Sequence, residues 1–214
     1  MSEKNTLYAQ QAYLPQGWTE NVRLHWDANG TLTQLETGVA QQAGEASAEL
    51  VLPGITNLHS HAFQRAMAGL TEVAGDSKDS FWTWRELMYR NALQLCPDQL
   101  EAIAAQLYME CLRHGYTGVC EFHYLHRAPG GDWYDNPAEM SERLLAAADS
   151  AGIAITMLPV LYSYADFLEQ PLREDQRRFR TDEDSILDLI TRLERFRSAQ
   201  VEVGRSEEHT SELQ

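Results

Sequence analysis

Two histidines separated by one residue are the clearest chemical feature of the sequence. His59 and His61 end the segment Pro53–His61, PGITNLHSH, in which a short apolar run precedes the two imidazoles. Successive side chains of a strand alternate between its faces, so residues two apart point to the same side. Because neutral imidazole is a preferred zinc ligand, this spacing predicts that both histidines bind one zinc ion. A bare H-x-H pair is also typical of surface or hydrogen-bonded histidines, and its context decides between the two.

The cysteines do not add to this chemistry. Cys96, Cys111 and Cys120 are odd in number, and no two of them form a C-x-x-C pair. The spacing therefore indicates neither a disulfide framework nor a cysteine-based zinc site. We expect three small, buried, apolar residues in a reducing compartment.

The chain before Pro53 predicts a small β unit. Between residues 6 and 52 short mixed segments are separated by turn-forming residues, and Asn29-Gly30 lies directly before the alternating run Thr31–Leu35. Asn-Gly between two such runs is typical of a β-hairpin. We therefore expect a small antiparallel sheet that buries little by itself.

Beyond Pro53 the pattern changes to alternating strands and amphipathic helices, which predicts a parallel sheet covered by helices. Apolar runs predict strands over residues 55–58, 117–122 and 153–161. Helical periodicity predicts helices over residues 81–95, 97–114, 136–152 and 182–196. About three strands with their helices are present, whereas a closed (β/α)₈ barrel needs eight. The fold class is therefore α/β with an incomplete barrel.

Charge and hydropathy limit the classes of partner. The 214 residues carry a formal net charge of −15 with a pI near 4.8, and 43% of them are hydrophobic. Nucleic acid and anionic membranes require clustered Lys and Arg, so a small molecule is the expected partner. No run approaches the roughly 20 apolar residues that span a bilayer, and the N-terminus does not resemble a signal peptide. We predict a cytoplasmic location.

The residues around the histidine pair resemble a known metal-binding motif. PGITNLHSH, after a small β unit and before a barrel pattern, resembles the first-strand metal motif of the amidohydrolase superfamily. Three further segments make the resemblance more specific, because their order and spacing resemble those of the formimidoylglutamate deiminases. They are His61–Leu70, Phe81–Tyr89 and Gly118–His126. This resemblance extends from Tyr8 to Val203. It implies the N-terminal part of an amidohydrolase TIM barrel, preceded by a small β-sandwich segment.

The resemblance also implies a reaction. The family binds one zinc ion and deiminates N-formimino-L-glutamate, a step of histidine degradation that gives N-formyl-L-glutamate and ammonia. His59 and His61 would be the first two zinc ligands. A third zinc-binding histidine, a catalytic histidine and a metal-binding aspartate are implied on later barrel strands. No catalytic residue is therefore assigned here, and the chain by itself is predicted to be inactive.

Three residues match substrate-binding positions of the family. Gln64 would bond the polar end of the substrate, Arg85 would pair with a glutamate carboxylate, and Tyr124 would bond a carboxylate through its hydroxyl. Each has a structural alternative: Gln64 capping a turn, Arg85 pairing with the neighbouring Glu86, and Tyr124 packing at the barrel rim.

Other residues near these positions are assigned to packing or support. His123 and His126 are expected to be loop or outer-shell residues, since the family's remaining metal ligands come from later strands. Trp82 and Trp84 are expected to be packing residues or pocket wall.

The last ten residues, RSEEHTSELQ, lack apolar periodicity and resemble the in-frame translation of a widely used DNA-sequencing adapter. We therefore predict three segments: residues 1–52 as a small β domain, 53–204 as the first part of a metal-dependent hydrolase barrel, and 205–214 as a non-native tail. His209 is not counted as a ligand. A homodimer is expected for a full-length protein. Two alternatives stay open, a deaminase of a heterocyclic substrate and a non-catalytic binding module.

Overall fold

The computed structural model describes residues 5–70, 81–165 and 170–207, and for residues 81–83 it describes the backbone alone. The chain divides into two compact units, Met1–Gly54 and Ile55–Gln214. Each unit has its own cluster of buried apolar side chains.

The first unit is a four-stranded sheet. Its strands are β1 (Thr6–Leu14), β2 (Gly17–Trp26), β3 (Leu32–Glu36) and β4 (Ser47–Val51). They lie in the order β3-β2-β1-β4, in which β4 pairs with β1 in parallel and the other neighbours are antiparallel. The expectation of a wholly antiparallel unit was wrong for β4, because a longer connection, rather than a tight hairpin, lets β4 run alongside β1. Among the described residues this unit is a single sheet, and the second layer that the predicted sandwich segment requires is not present there.

The predicted hairpin joins β2 to β3. Gly30 adopts a left-handed φ of 81°, which glycine tolerates without steric cost. The Asp27 carboxylate accepts the backbone N–H groups of Asn29 and Thr31, each at 2.9 Å, and so closes the turn. The hairpin prediction at Asn29-Gly30 is confirmed. A small core of buried aliphatic side chains lies against this sheet, formed by Ala9, Ala12, Leu14 and Val22.

The second unit contains a parallel sheet. Its strands are β5 (Ile55–Ser60), β6 (Tyr116–His123), β7 (Ala154–Leu161), β8 (Val201–Val203) and β9 (Ser206–Glu207). The first four lie in sequence order, and β9 pairs with the end of β7. The expectation of about three barrel strands was therefore wrong, since β8 is a fourth. A strand of three residues is too short to produce a periodic signal.

Within the described residues, four α-helices connect these strands. They are α1 (Phe81–Ala92), α2 (Pro97–Arg113), α3 (Glu139–Ala151) and α4 (Glu183–Leu193). In the part of the chain that the structure describes, no helix is both long and apolar enough to cross a membrane.

Local side-chain bonds explain where the helices begin and end. The Gln99 side chain accepts the backbone N–H of Cys96 at 3.0 Å just before Pro97, and the Asp182 carboxylate accepts the N–H of Ser185 at 2.8 Å at the start of α4. The α3 helix begins at Glu139 and not at Asn136, because the Asn136 side chain bonds the N–H of Ala138 in a local turn. The α1 helix also ends three residues before its predicted limit. Cys96, between α1 and α2, is exposed, so the expectation of three buried cysteines was wrong there, because the residue before a helix start lies in a connection at the surface, whereas Cys111 within α2 is buried.

The edge strand β5 and the interior strand β7 differ in burial. None of the eight residues of β7 is exposed, as expected for a strand covered on both faces. In β5, by contrast, Ile55 is 57% exposed and Leu58 is 72% exposed. Among the described residues β5 pairs only with β6, and the sheet is open.

Part of the segment predicted to be a non-native tail takes part in this sheet. Ser206 and Glu207 pair with Val160 and Leu161 of β7. Residues 208–214, including His209, lie outside the described residues.

Candidate active site

His59 and His61 come together at the carboxyl end of β5. Their Nε2 atoms lie 2.8 Å apart, and their rings meet edge to face with centroids 4.6 Å apart. His59 is exposed and His61 is half-buried. At this distance the two ring nitrogens are hydrogen-bonded to each other, so both point into the same space, where a cation could take the place of the shared proton.

The neighbouring strand β6 holds both imidazoles through Phe122. The Nδ1 atom of His61 lies 3.0 Å from the backbone oxygen of Phe122, while the Phe122 ring stacks on His59 with centroids 4.8 Å apart. Burial lowers the pKa of His61 and nearby His59 adds to this, although the bond to Phe122 acts in the opposite direction. His61 is therefore kept neutral, with Nδ1 as the donor and Nε2 as the basic nitrogen.

A buried carboxyl lies directly behind the histidine pair. Glu121, 1% exposed, accepts the Ser60 hydroxyl at Oε2 and the backbone N–H of Ala62 at Oε1, both at 2.6 Å. Burial raises the pKa of Glu121 to about 7, even though both of these bonds act to lower it. The carboxyl thus contacts the residue on each side of His61.

Gln64 lies in a short 3₁₀ helix, Ala62–Met67, that follows the histidines. Its backbone N–H donates to the carbonyl of His61 at 2.9 Å, and its side-chain amide contacts the sulfur of Met88 at 3.6 Å. The backbone bond keeps Gln64 one turn from the histidine pair, and its side chain reaches toward α1.

Arg85 belongs to a group of hydrogen-bonded side chains from distant parts of the chain. Its Nε donates to the Tyr89 hydroxyl at 2.9 Å, and its Nη2 donates to the Tyr162 hydroxyl at 3.4 Å. The amide of buried Gln176 donates to both hydroxyls, at 3.0 and 3.1 Å. Burial alone would lower the pKa of Arg85, but the bonds to Tyr162 and Tyr89 raise it. This guanidinium is charged and held in place by tyrosine oxygens.

Tyr124 joins the histidines to the arginine group. Its ring centroid lies 5.2 Å from that of His61 and 6.0 Å from that of Tyr162, which accepts a bond from Arg85. Phe179 packs against Tyr124 and Tyr162, with centroids 5.8 and 5.5 Å away. The structure therefore brings His59, His61, Tyr124 and Arg85 into one continuous group of contacts.

His123 and His126 form a separate buried pair. Their rings meet edge to face with centroids 5.0 Å apart, and His126 Nε2 lies 3.2 Å from the carbonyl of Val160. Burial lowers the pKa of His126 to about 4. Both residues are neutral and buried; His123 is the last residue of β6 and not a loop residue, while His126 lies in the loop that follows. Trp84 packs against the core, whereas the side chain of Trp82 lies outside the described residues.

Sequence reasoning missed five residues of the site: Glu121, Phe122, Tyr89, Tyr162 and Gln176. Glu121 did leave a signal, because an acidic residue inside the apolar strand TGVCEF must have partners if the strand is buried. The other four left none, since their roles depend on contacts between residues far apart in the chain.

The chemistry of the histidine pair fits a metal ion. Histidines that bind metals commonly donate their second ring N–H to a backbone carbonyl, which fixes the tautomer, and His61 has this bond to Phe122. In the described ranges no group of three or more His, Cys, Asp or Glu residues is arranged to hold a metal ion. The two imidazoles would therefore be part of a ligand set and not the whole of it.

Comparison with known families defines the class of protein. Residues 50–204 match the amidohydrolase family, and residues 4–48 match the family described as formimidoylglutamate deiminase HutF, N-terminal domain. The chain belongs to the amidohydrolase family.

Individual relatives show which members of the family this chain resembles. A formimidoylglutamate deiminase from Pseudomonas aeruginosa is 52% identical over 189 residues, which cover 88% of this chain and 42% of the relative. The crystal structure of an amidohydrolase from Brucella melitensis has a TM-score of 0.87 at 44% identity, over 94% of this chain and 45% of that one. The zinc complex of the atrazine chlorohydrolase TrzN from Arthrobacter aurescens shares the fold alone, with a TM-score of 0.72 at 15% identity over 94% of this chain and 46% of that one. The chain therefore spans less than half the length of these relatives.

Proposed function

We propose that this chain supplies the first metal ligands and the substrate-carboxylate contacts of an enzyme that hydrolyses N-formimino-L-glutamate to N-formyl-L-glutamate and ammonia. The observation that carries the proposal is Tyr124, whose ring contacts both His61 and Tyr162, the hydroxyl partner of Arg85. A centre that binds a cation and a group that binds an anion are thereby joined. The 52% identity to a formimidoylglutamate deiminase gives independent support.

The metal in this proposal is zinc. His59 and His61 would hold it through the Nε2 atoms that face each other. A bound zinc ion makes water a nucleophile at neutral pH by lowering its pKa. In this chain Phe122 keeps the Nδ1 proton of His61 on the side away from that site, so that the basic Nε2 stays available. The zinc complex of the TrzN hydrolase, which shares the fold, supports this choice of metal.

Arg85 is the group proposed to bind a substrate carboxylate. A guanidinium forms strong bidentate bonds to a carboxylate, and Tyr89 and Tyr162 hold that of Arg85 in a fixed orientation. Tyr124 and Gln64, on the side of the histidines, would orient the rest of a linear substrate through hydroxyl and amide groups. A fixed cation at one end and a metal at the other select a substrate with a carboxylate remote from its reacting carbon.

Catalysis is expected to need more than this chain. The deiminase relative is covered over 42% of its length, and the proposal places a third zinc-binding histidine, the catalytic histidine and an aspartate in the part that has no counterpart here. We therefore expect no ammonia release from the chain alone. A cytoplasmic location and a homodimeric complete enzyme are further parts of the proposal.

A fusion protein tests the proposal. Residues 1–203 joined in frame to the remaining segment of the Pseudomonas relative should release ammonia from N-formimino-L-glutamate. Arg85→Met in this fusion should raise KM for that substrate at least tenfold, because about 1.4 kcal/mol of lost carboxylate binding corresponds to that factor. Arg90→Met, an exposed arginine on the same helix, is the matched control and should leave KM unchanged.

The same experiment separates the competing functions. Deamination of guanine or an aminotriazine, without turnover of N-formimino-L-glutamate, would replace the proposed substrate by a heterocycle. A folded, zinc-loaded fusion that turns over neither class of substrate would leave a binding role.

A further inference from the structure

The buried carboxyl of Glu121 carries an inference that goes beyond the ligands themselves. In the parallel pairing of β5 with β6, Ser60 is the partner of Glu121. The carboxyl reaches across this pair and contacts the chain at two points, the Ser60 hydroxyl and the backbone N–H of Ala62. These two residues flank His61, so one side chain restrains the backbone immediately before and after a candidate ligand.

The position of Glu121 calls for a physical explanation. Placing a carboxyl in the interior is costly unless it is hydrogen-bonded, and an apolar side chain would fill the same space without that cost. Both oxygens of Glu121 are used on the turn that carries the histidines. Two hydrogen bonds that offset the burial of this carboxyl are therefore made to this turn, and the Tyr108 hydroxyl of α2 also lies against it.

Adjacent residues of β6 divide the restraint between them. Glu121 fixes the backbone around His61, while Phe122 fixes the ring through its carbonyl and stacks on His59. A backbone restraint and a ring restraint together determine where Nε2 of His61 lies. Without the backbone restraint from Glu121, the carbonyl of Phe122 would still bond the His61 ring, but the backbone that carries this ring could move.

We propose that Glu121 is a positioning residue for the metal centre, which holds the turn from Ser60 to Ala62 so that the Nε2 atoms of His59 and His61 converge. The inference rests on the proposed function in one respect, namely that the two histidines bind a metal. Partners of this kind behind metal ligands typically contribute a factor of about 10 to 100 in metal affinity.

Zinc titration of the 214-residue chain and its variants tests this inference, with isothermal calorimetry as the readout. Glu121→Leu removes both bonds and should weaken zinc binding at least tenfold. Glu121→Gln is the conservative variant, because its amide oxygen can accept from Ala62 and its NH₂ can donate to the Ser60 oxygen. It should bind zinc within about threefold of the unaltered chain, since both contacts can be kept. Glu45→Gln, which alters a buried carboxylate of the first unit, is the matched control and should have no effect.

Nitrogen-15 NMR of the imidazoles supplies a second readout that does not require metal. In the unaltered chain and in Glu121→Gln, His61 should show a single tautomer with the proton on Nδ1. In Glu121→Leu it should show exchange between tautomers, because the bond to Phe122 is no longer held in register.

Each outcome decides the matter. If Glu121→Leu keeps a native thermal transition, a fixed His61 tautomer and unchanged zinc affinity, Glu121 has no positioning role. If that variant does not fold, Ser60→Ala, which removes one of the two bonds, decides instead, and unchanged zinc affinity and tautomer would overturn the inference. If the unaltered chain binds no zinc even at millimolar concentration, the metal role of the histidines in this chain is contradicted, and the tautomer of His61 alone decides on Glu121.

Discussion

Each unit of the molecule buries an arginine, and the two guanidinium groups have different kinds of hydrogen-bond acceptor. Arg23 in the first unit, 6% exposed, meets two carboxylates, with Glu45 at 2.5 Å and Glu36 at 2.9 Å. Arg178 in the second unit is fully buried and donates to the backbone carbonyls of Ala92, Leu95 and Arg127. One arginine is held by opposite charges and the other by peptide dipoles.

The difference follows from what each arginine connects. The small sheet of the first unit has few apolar residues, and Arg23 binds charged groups from the segments that border it. Arg178 lies between Arg177 and Phe179 in sequence, two residues after Gln176, which bonds the tyrosine partners of Arg85. Its carbonyl partners lie at the end of α1 and in the loop after β6, so it connects these two parts of the chain through their backbone.

The largest effect should come from Arg178→Met. The carbonyls of Leu95, Ala92 and Arg127 would lose a buried donor, and we expect the second unit to lose about 3 kcal/mol of unfolding free energy. Urea denaturation gives the value. Arg180→Met, at an exposed arginine two positions further along the chain, should cost less than about 1 kcal/mol. Equal costs for the two variants would show that Arg178 is not the residue that fixes these loops.

A smaller effect is expected for Arg23→Met in the first unit. Glu36 has a side chain that is 32% exposed, so water can partly replace the lost guanidinium. Hydrogen exchange of β1 to β3 should accelerate, whereas exchange of β6 and β7 should not. The double variant Arg23→Met, Glu45→Leu should restore part of the protection, because it removes the carboxylate that would otherwise be buried without a partner. If the double variant exchanges faster than Arg23→Met, the pairing account of Arg23 fails.

The smallest and most diagnostic effect is the opposite pH response of the two units. Hydrogen bonds from Arg23 hold the pKa of Glu45 and of Glu36 below the usual 4.5, so their stabilisation is present above pH 4.5 and is lost as the pH falls through the lower folded values. Burial raises the pKa of Glu121 to about 7, so its contribution is full below pH 4.5 and is lost as the pH rises through 7.

Variants isolate these two responses. The stability advantage of the unaltered chain over Glu121→Gln should decrease between pH 5 and pH 8, as measured by urea midpoints. Its advantage over Arg23→Met should instead decrease as the pH is lowered below about 4.5. If the stability advantage over both variants changed with pH in the same direction, the two units would not differ in their pH response.

The sequence predicted the elements whose signals are local. Asn29-Gly30 defines a hairpin through its own backbone preferences, and Pro97 and Gly115 mark the limits of a helix in the same manner. The convergence of His59 and His61 follows from the alternation of a single strand. Each of these inferences needs only neighbouring residues.

Long-range contacts account for what could not be predicted. Arg177 and Arg178 are adjacent and chemically identical, yet one is bonded near the surface and the other is fully buried. Tyr162, the partner of Arg85, is 77 positions away in the chain. Only the packing of the parallel strands and their loops decides such partners, and no local pattern records it.

Phe122 has a consequence for how the sequence can vary. Its carbonyl, which bonds His61, survives replacement by any amino acid, whereas its ring, which stacks on His59, survives only aromatic replacement. Natural variation at codon 122 would therefore act on one ligand and spare the other. A mutational scan at this single position would separate selection on the orientation of His59 from selection on that of His61.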